Sequence, residues 1–207
     1  MTGRSDGAVE RFGDLAAEIL RRPARLGSVR LVAVDGPSGS GKTTFAHRLA
    51  RALERARCRI ETVHTDDLLD GWTDQFTFWS RLDQGVLEPL TRGEPGRYPI
   101  YGWVRGCFGG TMYVPVPDVL ILDGSTSARA DGYPRLTLAV LLTADRDLRL
   151  KRALARDGPA IEEPLRRWMA AEDDHFARDR TADRIDRLVD GVARVGHDPE
   201  NEYVRLR

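Results

Sequence analysis

Apolar and polar positions along the chain show two kinds of pattern, one typical of strands and one typical of helices, and segments of the two kinds alternate. Five short segments are rich in branched apolar side chains, which is the pattern of strands, and they cover residues 31–34, 59–64, 119–122, 136–142 and 185–189. Before and between them the spacing is helical, over residues 7–22, 44–53, 146–156 and 161–180. Strands that alternate with helices predict an α/β fold, with a mainly parallel sheet and helices on both faces.

The middle of the chain has a different pattern. A further helix is predicted between residues 76 and 90, with a break or an end near residues 85–89. Residues 91–117 are rich in glycine, proline and aromatic side chains, which indicates loops and short strands. The length of 207 residues fits one α/β domain that covers residues 1–207.

Charge and composition exclude several classes of function. Lys plus Arg and Asp plus Glu each number 32, so the formal net charge is zero and no basic field indicates a nucleic-acid or membrane partner. No apolar run is long enough to span a membrane, and the polar N-terminus lacks the apolar segment of a signal peptide. Cys58 and Cys107 are too few for a disulfide framework or a zinc site. The expected location is therefore cytoplasmic.

A glycine-rich segment between the first predicted strand and the next helix is the strongest motif. It has the spacing of a complete phosphate-binding loop, formed by Gly36, Pro37, Ser38, Gly39, Ser40, Gly41, Lys42 and Thr43, followed by Thr44. Glycines let backbone N–H groups converge on phosphate oxygens, and the helix N-terminus adds its dipole. The lysine can reach the β- and γ-phosphates, and the hydroxyl of Thr43 can bind Mg²⁺. The segment predicts a nucleoside triphosphate site.

Acidic residues end two of the predicted strands. Ligands gather at the carboxyl ends of strands in such sheets, so Asp123 is a candidate magnesium ligand beside Thr43. A strand-ending Asp-Gly turn is the alternative for Asp123. Asp66 and Asp67 follow the second strand, and one of them is a candidate base for an attacking hydroxyl, while the other could cap the next helix.

Three arginines share one face of a predicted helix. Arg149, Arg152 and Arg156 are spaced three and four residues apart. Arginines stabilise the charge on a transferring phosphoryl group, so the cluster predicts a phosphate clamp on a mobile lid. The alternative is a solvated face that pairs with neighbouring aspartates.

Two aromatic residues lie in the irregular middle segment. Tyr101 and Trp103 are two positions apart, so in an extended segment both side chains face the same way. They can stack a flat ligand or fill a small separate core, and the residues alone do not decide between these roles.

The order of these motifs resembles that of the uridine kinase family, within the P-loop nucleoside and nucleotide kinases. Besides the phosphate loop, five segments match in the family's order: residues 64–69 (HTDDLL), 101–104 (YGWV), 121–124 (ILDG), 149–157 (RLKRALARD) and 182–185 (ADRI). The likeness extends from about residue 29 to residue 191, which is most of the chain.

The resemblance implies a P-loop NTPase kinase fold with five sheet strands in the order 2-3-1-4-5 and an arginine-bearing lid over about residues 149–167. It assigns the catalytic aspartate to Asp66, contacts with the acceptor to Tyr101 and Trp103, and magnesium to Asp123. Asp74 is a further candidate for contact with a sugar hydroxyl, and the neighbouring Asp67 stays a substrate-side candidate.

The chain departs from the family pattern at three positions. Gly102 stands where the family has an aspartate, and Gly106 where the pyrimidine kinases have a histidine. Asp123 replaces a glutamate. Since the first two changes remove polar groups that would contact a pyrimidine nucleoside, we expect an altered acceptor pocket.

Together these features predict an enzyme that uses ATP and Mg²⁺ to phosphorylate a hydroxyl of a small molecule, as a monomer or a homo-oligomer. A first alternative is another acceptor, such as a sugar, a vitamin precursor or an antibiotic. A second is a nucleotide-dependent regulatory switch, although the chain lacks the Asn-Lys-x-Asp motif that reads guanine.

Overall fold

A computed structural model describes residues 7–192 and 195–207. Within these ranges, nine strands form one seven-stranded sheet and one separate two-stranded sheet. The strands are β1 (Ala8–Arg11), β2 (Arg30–Asp35), β3 (Ile60–His64), β4 (Gly96–Gly102), β5 (Cys107–Val114), β6 (Val119–Asp123), β7 (Leu136–Thr143), β8 (Arg187–Asp190) and β9 (Glu202–Arg205).

The seven-stranded sheet has the order β1-β9-β8-β7-β2-β6-β3. Its parallel part, β3-β6-β2-β7-β8, consists of the five predicted strands in the expected order 2-3-1-4-5. The predicted total of five strands is wrong, because β9 pairs antiparallel with β8, and β1 pairs antiparallel with β9. These two added strands extend the sheet on the β8 side.

Helices cover both faces of this sheet. They are α1 (Phe12–Arg21), α2 (Lys42–Arg55), α3 (Trp79–Leu82), α4 (Glu88–Thr91), α5 (Arg146–Asp157) and α6 (Glu162–Asp179). Alternate residues of β2 enter two different cores, since Leu31 and Ala33 pack with α3 and α4, and Val32 and Val34 pack with α1 and α2. A strand buried on both faces is nearly continuously apolar, as observed.

The helix predicted over residues 7–22 begins only at Phe12. Residues 8–11 instead form β1, where Val9 pairs with Val204 across the sheet. The apolar spacing that includes Val9 fits either structure, and a partner almost 200 residues away decides it. The helix ends at Arg21, two residues before Pro23, as the pattern predicts.

The predicted helix between residues 76 and 90 is observed as α3, a π-helical turn over Asp83–Leu87, and α4. Gly85 lies in that turn, where an added Cβ atom would be 2.6 Å from the carbonyl oxygen of Arg97. The turn therefore allows β4 to pass close to the helix. Strands β4 and β5 form an antiparallel hairpin outside the main sheet.

No helix in the described ranges is long and apolar enough to cross a bilayer.

Candidate active site

The phosphate-binding loop connects the end of β2 to the start of α2, as the motif predicts. Gly41 is the N-cap of α2 and has a φ angle of 101°, which side chains other than glycine rarely adopt. Gly39 lies against α5, and an added Cβ atom there would be 2.5 Å from the carbonyl oxygen of Arg149. The loop thus ends at a helix N-terminus, whose free N–H groups favour an anion.

A buried aspartate, Asp35, holds the start of the loop in place through hydrogen bonds to backbone N–H groups. Its carboxylate accepts hydrogen bonds from the N–H groups of Gly36 at 2.6 Å, Thr126 at 2.9 Å and Ala128 at 2.8 Å. Burial raises the pKa of this carboxyl to about 6, while the three donors and Lys42 oppose that shift. Asp35 therefore connects the phosphate loop to the segment that follows β6.

A cleft of about 820 Å³ opens above the loop. The predicted site residues that line it are Ser38, Gly39, Gly41, Lys42, Thr43, Thr44, Asp66, Asp123, Arg152 and Arg156. The ends of β3 and β6 meet here because the two strands are parallel neighbours. One cavity thus brings together the phosphate loop, two of the predicted carboxylates and two of the predicted guanidinium groups.

Asp123 forms an ion pair with a histidine of the adjacent strand. Nδ1 of His64 lies 2.8 Å from Oδ2 of Asp123, and this contact raises the pKa of His64. The other carboxylate oxygen, Oδ1, is buried and has no hydrogen-bond partner among the described residues. A buried polar atom without a partner is costly, so this oxygen is suited to a ligand.

The donor set around Asp123 fits Mg²⁺. This ion is typically bound by one or two carboxylates, with waters and substrate phosphates completing its shell. The cleft offers the free oxygen of Asp123 and the hydroxyl of Thr43 beside the phosphate loop. Among the described residues there is no cluster of three or more His, Cys, Asp or Glu, which a closed protein-only metal site would need.

Asp66 lies in a short 3₁₀ turn directly after β3 and lines the cleft. The side chain is accessible through the mouth of the cleft, but the walls displace much of the surrounding water and raise the pKa of the carboxyl. The charges of Asp123 and Glu172 act in the same direction, whereas Lys42 and Arg156 oppose them.

Two other predicted substrate residues, Asp67 and Asp74, form hydrogen bonds with residues of the protein outside the cleft. The half-buried carboxyl of Asp67 accepts a hydrogen bond from the hydroxyl of Tyr98, and Asp67 is not part of the cleft lining. Asp74 accepts from the N–H of Asp70 at 2.8 Å and also contacts Thr77 and Arg81. The structure therefore does not bring Asp67 and Asp74 to the cleft.

The three predicted arginines have different surroundings. Arg152 and Arg156 line the cleft, and Nη1 of Arg152 donates to the carbonyl oxygen of Gly39 at 3.3 Å. Arg149 is buried behind the loop, where it forms ion pairs with Glu172 at 3.9 Å and Asp173 at 3.6 Å. It thus supports the loop from behind and does not reach the cleft. The helices of the predicted lid, α5 and α6, are joined through residues 158–161.

Tyr101 and Trp103 lie at the tip of the β4–β5 hairpin, close to the cleft. Nε1 of Trp103 donates to the carbonyl oxygen of Asp66 at 3.2 Å. Its ring contacts Tyr101 and Trp72 edge to face, with centroid distances of 5.3 and 5.4 Å. We call Trp72, Tyr101 and Trp103 the aromatic surface.

The two glycines that depart from the family pattern lie in the same hairpin. A Cβ atom at Gly102 would be 3.2 Å from Nε of Arg105, whose side chain fills the space beside it. Gly106 has a φ angle of 68° in the turn and donates to the carbonyl oxygen of Gly102 at 2.7 Å. The space beside Gly102 is therefore occupied by Arg105, and Gly106 forms part of a tight turn.

Some residues of the site were not predicted from the sequence. Glu172 of α6 binds the phosphate loop, and Val192, His197 and Pro199 line the far end of the cleft. The latter three follow the last predicted strand, and no motif indicates them. Glu172 lies in a helix with many charges, where nothing in the pattern distinguishes a buried carboxylate from an exposed one.

Comparison with known proteins shows likeness in structure only. No protein-family model matches the sequence, and no curated protein matches it. A possible uridine kinase from Bacillus stearothermophilus is similar with a TM-score of 0.64 and 20% identity, over 86% of this chain and 96% of that one.

Two further solved structures have the same fold. A candidate fructose transport system kinase from a Silicibacter species has a TM-score of 0.61 and 20% identity, over 81% of this chain and 94% of that one. D-glycerate 3-kinase from Cryptococcus neoformans has a TM-score of 0.57 and 15% identity, over 93% of this chain and 98% of that one. With the phosphate loop and the parallel strand order, these likenesses show that the chain has the P-loop kinase fold.

Proposed function

We propose that the protein is an ATP-dependent phosphotransferase that moves the γ-phosphoryl group to a hydroxyl of a small molecule. The observation that carries this proposal is the single cleft in which Asp66 faces Lys42, Asp123 and the phosphate loop. Phosphoryl transfer needs a cradle for the phosphates, positive charge and a group that receives the acceptor's proton. A nucleotide switch needs no such acid on the acceptor side.

Each side chain has a distinct role in this reaction. The loop and Lys42 bind the triphosphate, and Thr43 and Asp123 hold Mg²⁺. The ion, when bound, neutralises charge on the phosphate oxygens. The acceptor oxygen forms a bond to the γ-phosphorus as the bond between that phosphorus and the ADP oxygen breaks. The proton of the hydroxyl passes to Asp66.

Arg152 and Arg156 provide positive charge above the loop. Both line the cleft, and the charge of Arg156 lowers the pKa of Asp66, which indicates that the guanidinium and the carboxyl are close. Arginine stabilises the charge that spreads over the equatorial oxygens during transfer. Arg149 contributes by holding the back of the loop.

The acceptor lies beside Asp66 and against the aromatic surface. The similar structures are named as a possible uridine kinase, a candidate fructose transport system kinase and D-glycerate 3-kinase, so the likeness favours no single class of acceptor. The side chain of Arg105 fills the space beside Gly102. This favours an acceptor other than a pyrimidine nucleoside, such as a sugar, a vitamin precursor or an antibiotic.

The test is ADP release from Mg·ATP with and without a panel of alcohols that includes nucleosides, sugars and sugar acids. We expect at least one alcohol to raise ADP release well above the rate in its absence and to appear as a phosphorylated product. ATP hydrolysis that no alcohol changes would support a regulatory switch. The absence of any ATP binding would contradict the proposal altogether.

A further inference from the structure

A buried glutamate of α6 binds the phosphate loop directly. Glu172 is fully buried, with 0% of its surface exposed. The N–H group of Ser38 donates to both of its carboxylate oxygens, at 3.0 and 2.9 Å. The hydroxyls of Ser38 and Ser125 donate to Oε1 at 2.8 and 2.6 Å, and the indole Nε1 of Trp168 at 3.0 Å.

The partners of this side chain require an acceptor at both oxygens. The N–H of Ser38, the indole of Trp168 and the nearby guanidinium of Arg149 can only donate. A carboxylate accepts at both oxygens, whereas a glutamine in the same place would turn an N–H₂ group toward donors. Because Glu172 is fully buried, such a mismatch leaves buried polar groups without partners.

Glu172 links the phosphate loop to the segment after β6, and phosphoryl transfer requires these two segments to keep a fixed relative position. Ser38 belongs to the loop that carries Lys42, and Ser125 lies two residues after Asp123. Oγ of Ser125, whose proton goes to Glu172, also lies 3.0 Å from the carbonyl oxygen of Gly36. One carboxylate therefore links the loop to the segment beyond the magnesium candidate.

The same glutamate is connected to the acceptor side. The ring of Trp168, whose N–H binds Glu172, contacts Trp72 of the aromatic surface edge to face at 5.7 Å between centroids. The carbonyl oxygen of Trp168 accepts a hydrogen bond from Gln75 at 3.2 Å. Trp168 thus fixes the glutamate from the acceptor side of the cleft.

We propose that Glu172 is a positioning residue that holds Ser38 and sets the phosphate loop for its phosphates, with Trp168 orienting the carboxylate. This inference rests on the proposed function, because it assigns the loop a phosphate ligand. Glu172 touches no reacting atom. Its removal therefore weakens binding of the phosphate chain while the remainder of the nucleotide site is unchanged.

The test compares Glu172→Gln with the wild-type protein and with Glu163→Gln. Glu163 lies on the same helix, but it is exposed and pairs only with Arg167 among the described residues. The first readout is hydrogen exchange of the Ser38 amide by NMR. We expect exchange to be about tenfold or more faster in Glu172→Gln and unchanged in Glu163→Gln.

The second readout is binding of Mg·ATP, inorganic tripolyphosphate and adenosine by calorimetry. For Glu172→Gln we expect about tenfold or more weaker binding of Mg·ATP and tripolyphosphate, with adenosine unchanged. Equal losses for all three ligands would indicate general destabilisation and overturn the positioning role. Unchanged Ser38 exchange, or unchanged tripolyphosphate binding, in a folded variant would also overturn it.

Trp168→Phe provides a milder change if Glu172→Gln does not fold. It keeps one aromatic ring in the core and removes the indole N–H together with the five-membered ring, while the carboxylate of Glu172 stays in place, so we expect the same losses to a smaller extent. Unaltered Ser38 exchange in this variant would contradict the orienting role of Trp168. If the wild-type protein binds neither Mg·ATP nor tripolyphosphate, the proposed function fails, and the exchange data alone decide whether Glu172 holds Ser38.

Discussion

Nδ1 of His64 lies 2.8 Å from Oδ2 of Asp123, and the two residues are directly opposite each other on adjacent parallel strands. Parallel pairing places both side chains at the carboxyl edge of the sheet, beside the phosphate loop. Oδ1 of Asp123 has no hydrogen-bond partner in the part of the chain that the structure describes and is available to a further ligand. The imidazole therefore shares one carboxylate with any cation that binds there.

The first prediction concerns the pH dependence of this pair in the metal-free protein. The hydrogen bond to Asp123 raises the pKa of His64 above its usual 6.5. The pair therefore stabilises the fold fully below pH 6.5, and this contribution is lost as the pH rises through the higher folded pKa. NMR titration of the His64 ring measures the shift directly.

Asp123→Asn is the control for that titration, since it removes the negative charge and should lower the pKa of His64. Mg²⁺ should lower it as well, because the ion competes with the imidazolium for Asp123. A pKa of His64 at or below 6.5 in the metal-free wild-type protein would contradict the ion pair.

The second prediction is that Lys42→Ala folds but loses phosphotransfer by at least about a hundredfold, because its charge acts on phosphates that become more negative in the transition state. Lys151, the only other lysine, is exposed on α5 and provides the matched control. Steady-state ADP release and far-UV circular dichroism of both variants check the result. Near-normal turnover of folded Lys42→Ala would exclude the proposed mechanism.

The third prediction separates the two adjacent aspartates. Asp66→Asn should lower kcat by about a hundredfold or more with little change in ATP affinity, because the acceptor proton loses its base. Asp67→Asn should retain most of the activity, since Asp67 binds the Tyr98 hydroxyl outside the cleft lining. The reverse ranking would assign the base to Asp67.

The raised pKa of Asp66 has a consequence in the same experiment. A base with a raised pKa is protonated at a higher pH, so the acidic limb of kcat/KM should lie above pH 3.8, the usual value for aspartate. The pH profile of the wild-type enzyme with an active acceptor measures this limb. An acidic limb at or below pH 3.8 would not be consistent with Asp66 as the base.

The fourth prediction is that uridine and cytidine are poor acceptors. Gly102 and Gly106 provide no side-chain group for a pyrimidine nucleoside. Because buried hydrogen bonds contribute strongly to substrate selection, a nucleoside that lacks these bonds should react poorly. Steady-state kinetics with ATP and each nucleoside test this directly. A kcat/KM of ~10⁴ M⁻¹s⁻¹ or more, the lower end of the usual enzyme range, would indicate that other residues supply the missing contacts.

The parts of the structure that were predictable from sequence depend on local signals. The loop from Gly36 to Thr43 and the apolar strand before it lie within about fifteen residues, so their pattern alone indicates strand, loop and helix. Acids at the ends of strands then identify the carboxyl edge of the sheet. Asp66 and Asp123 accordingly lie in one cleft, as expected from a parallel sheet.

The parts that were not predictable depend on distant partners. Four-residue strands such as β1 and β9 become recognisable only through each other, and their pairing joins Ala8 to Arg205. Arg149 shares a helix face with Arg152 in the sequence, but packing of α6 against α5 buries it beside Glu172. Periodicity identifies a face of a helix and not what covers that face.

The pairing of β1 with β9 has a consequence for how the protein is made. Tyr203 of β9 completes an aromatic cluster with Phe12 and Phe45, with ring centroids 5.0 to 5.3 Å apart, and all three residues line the cleft. A nascent chain on the ribosome exposes the first two rings until the last strand has been synthesised. This wall of the cleft is therefore completed only once β9 has been made and has paired with β1, and ligands that need the wall stabilise chains that contain β9 and not shorter precursors.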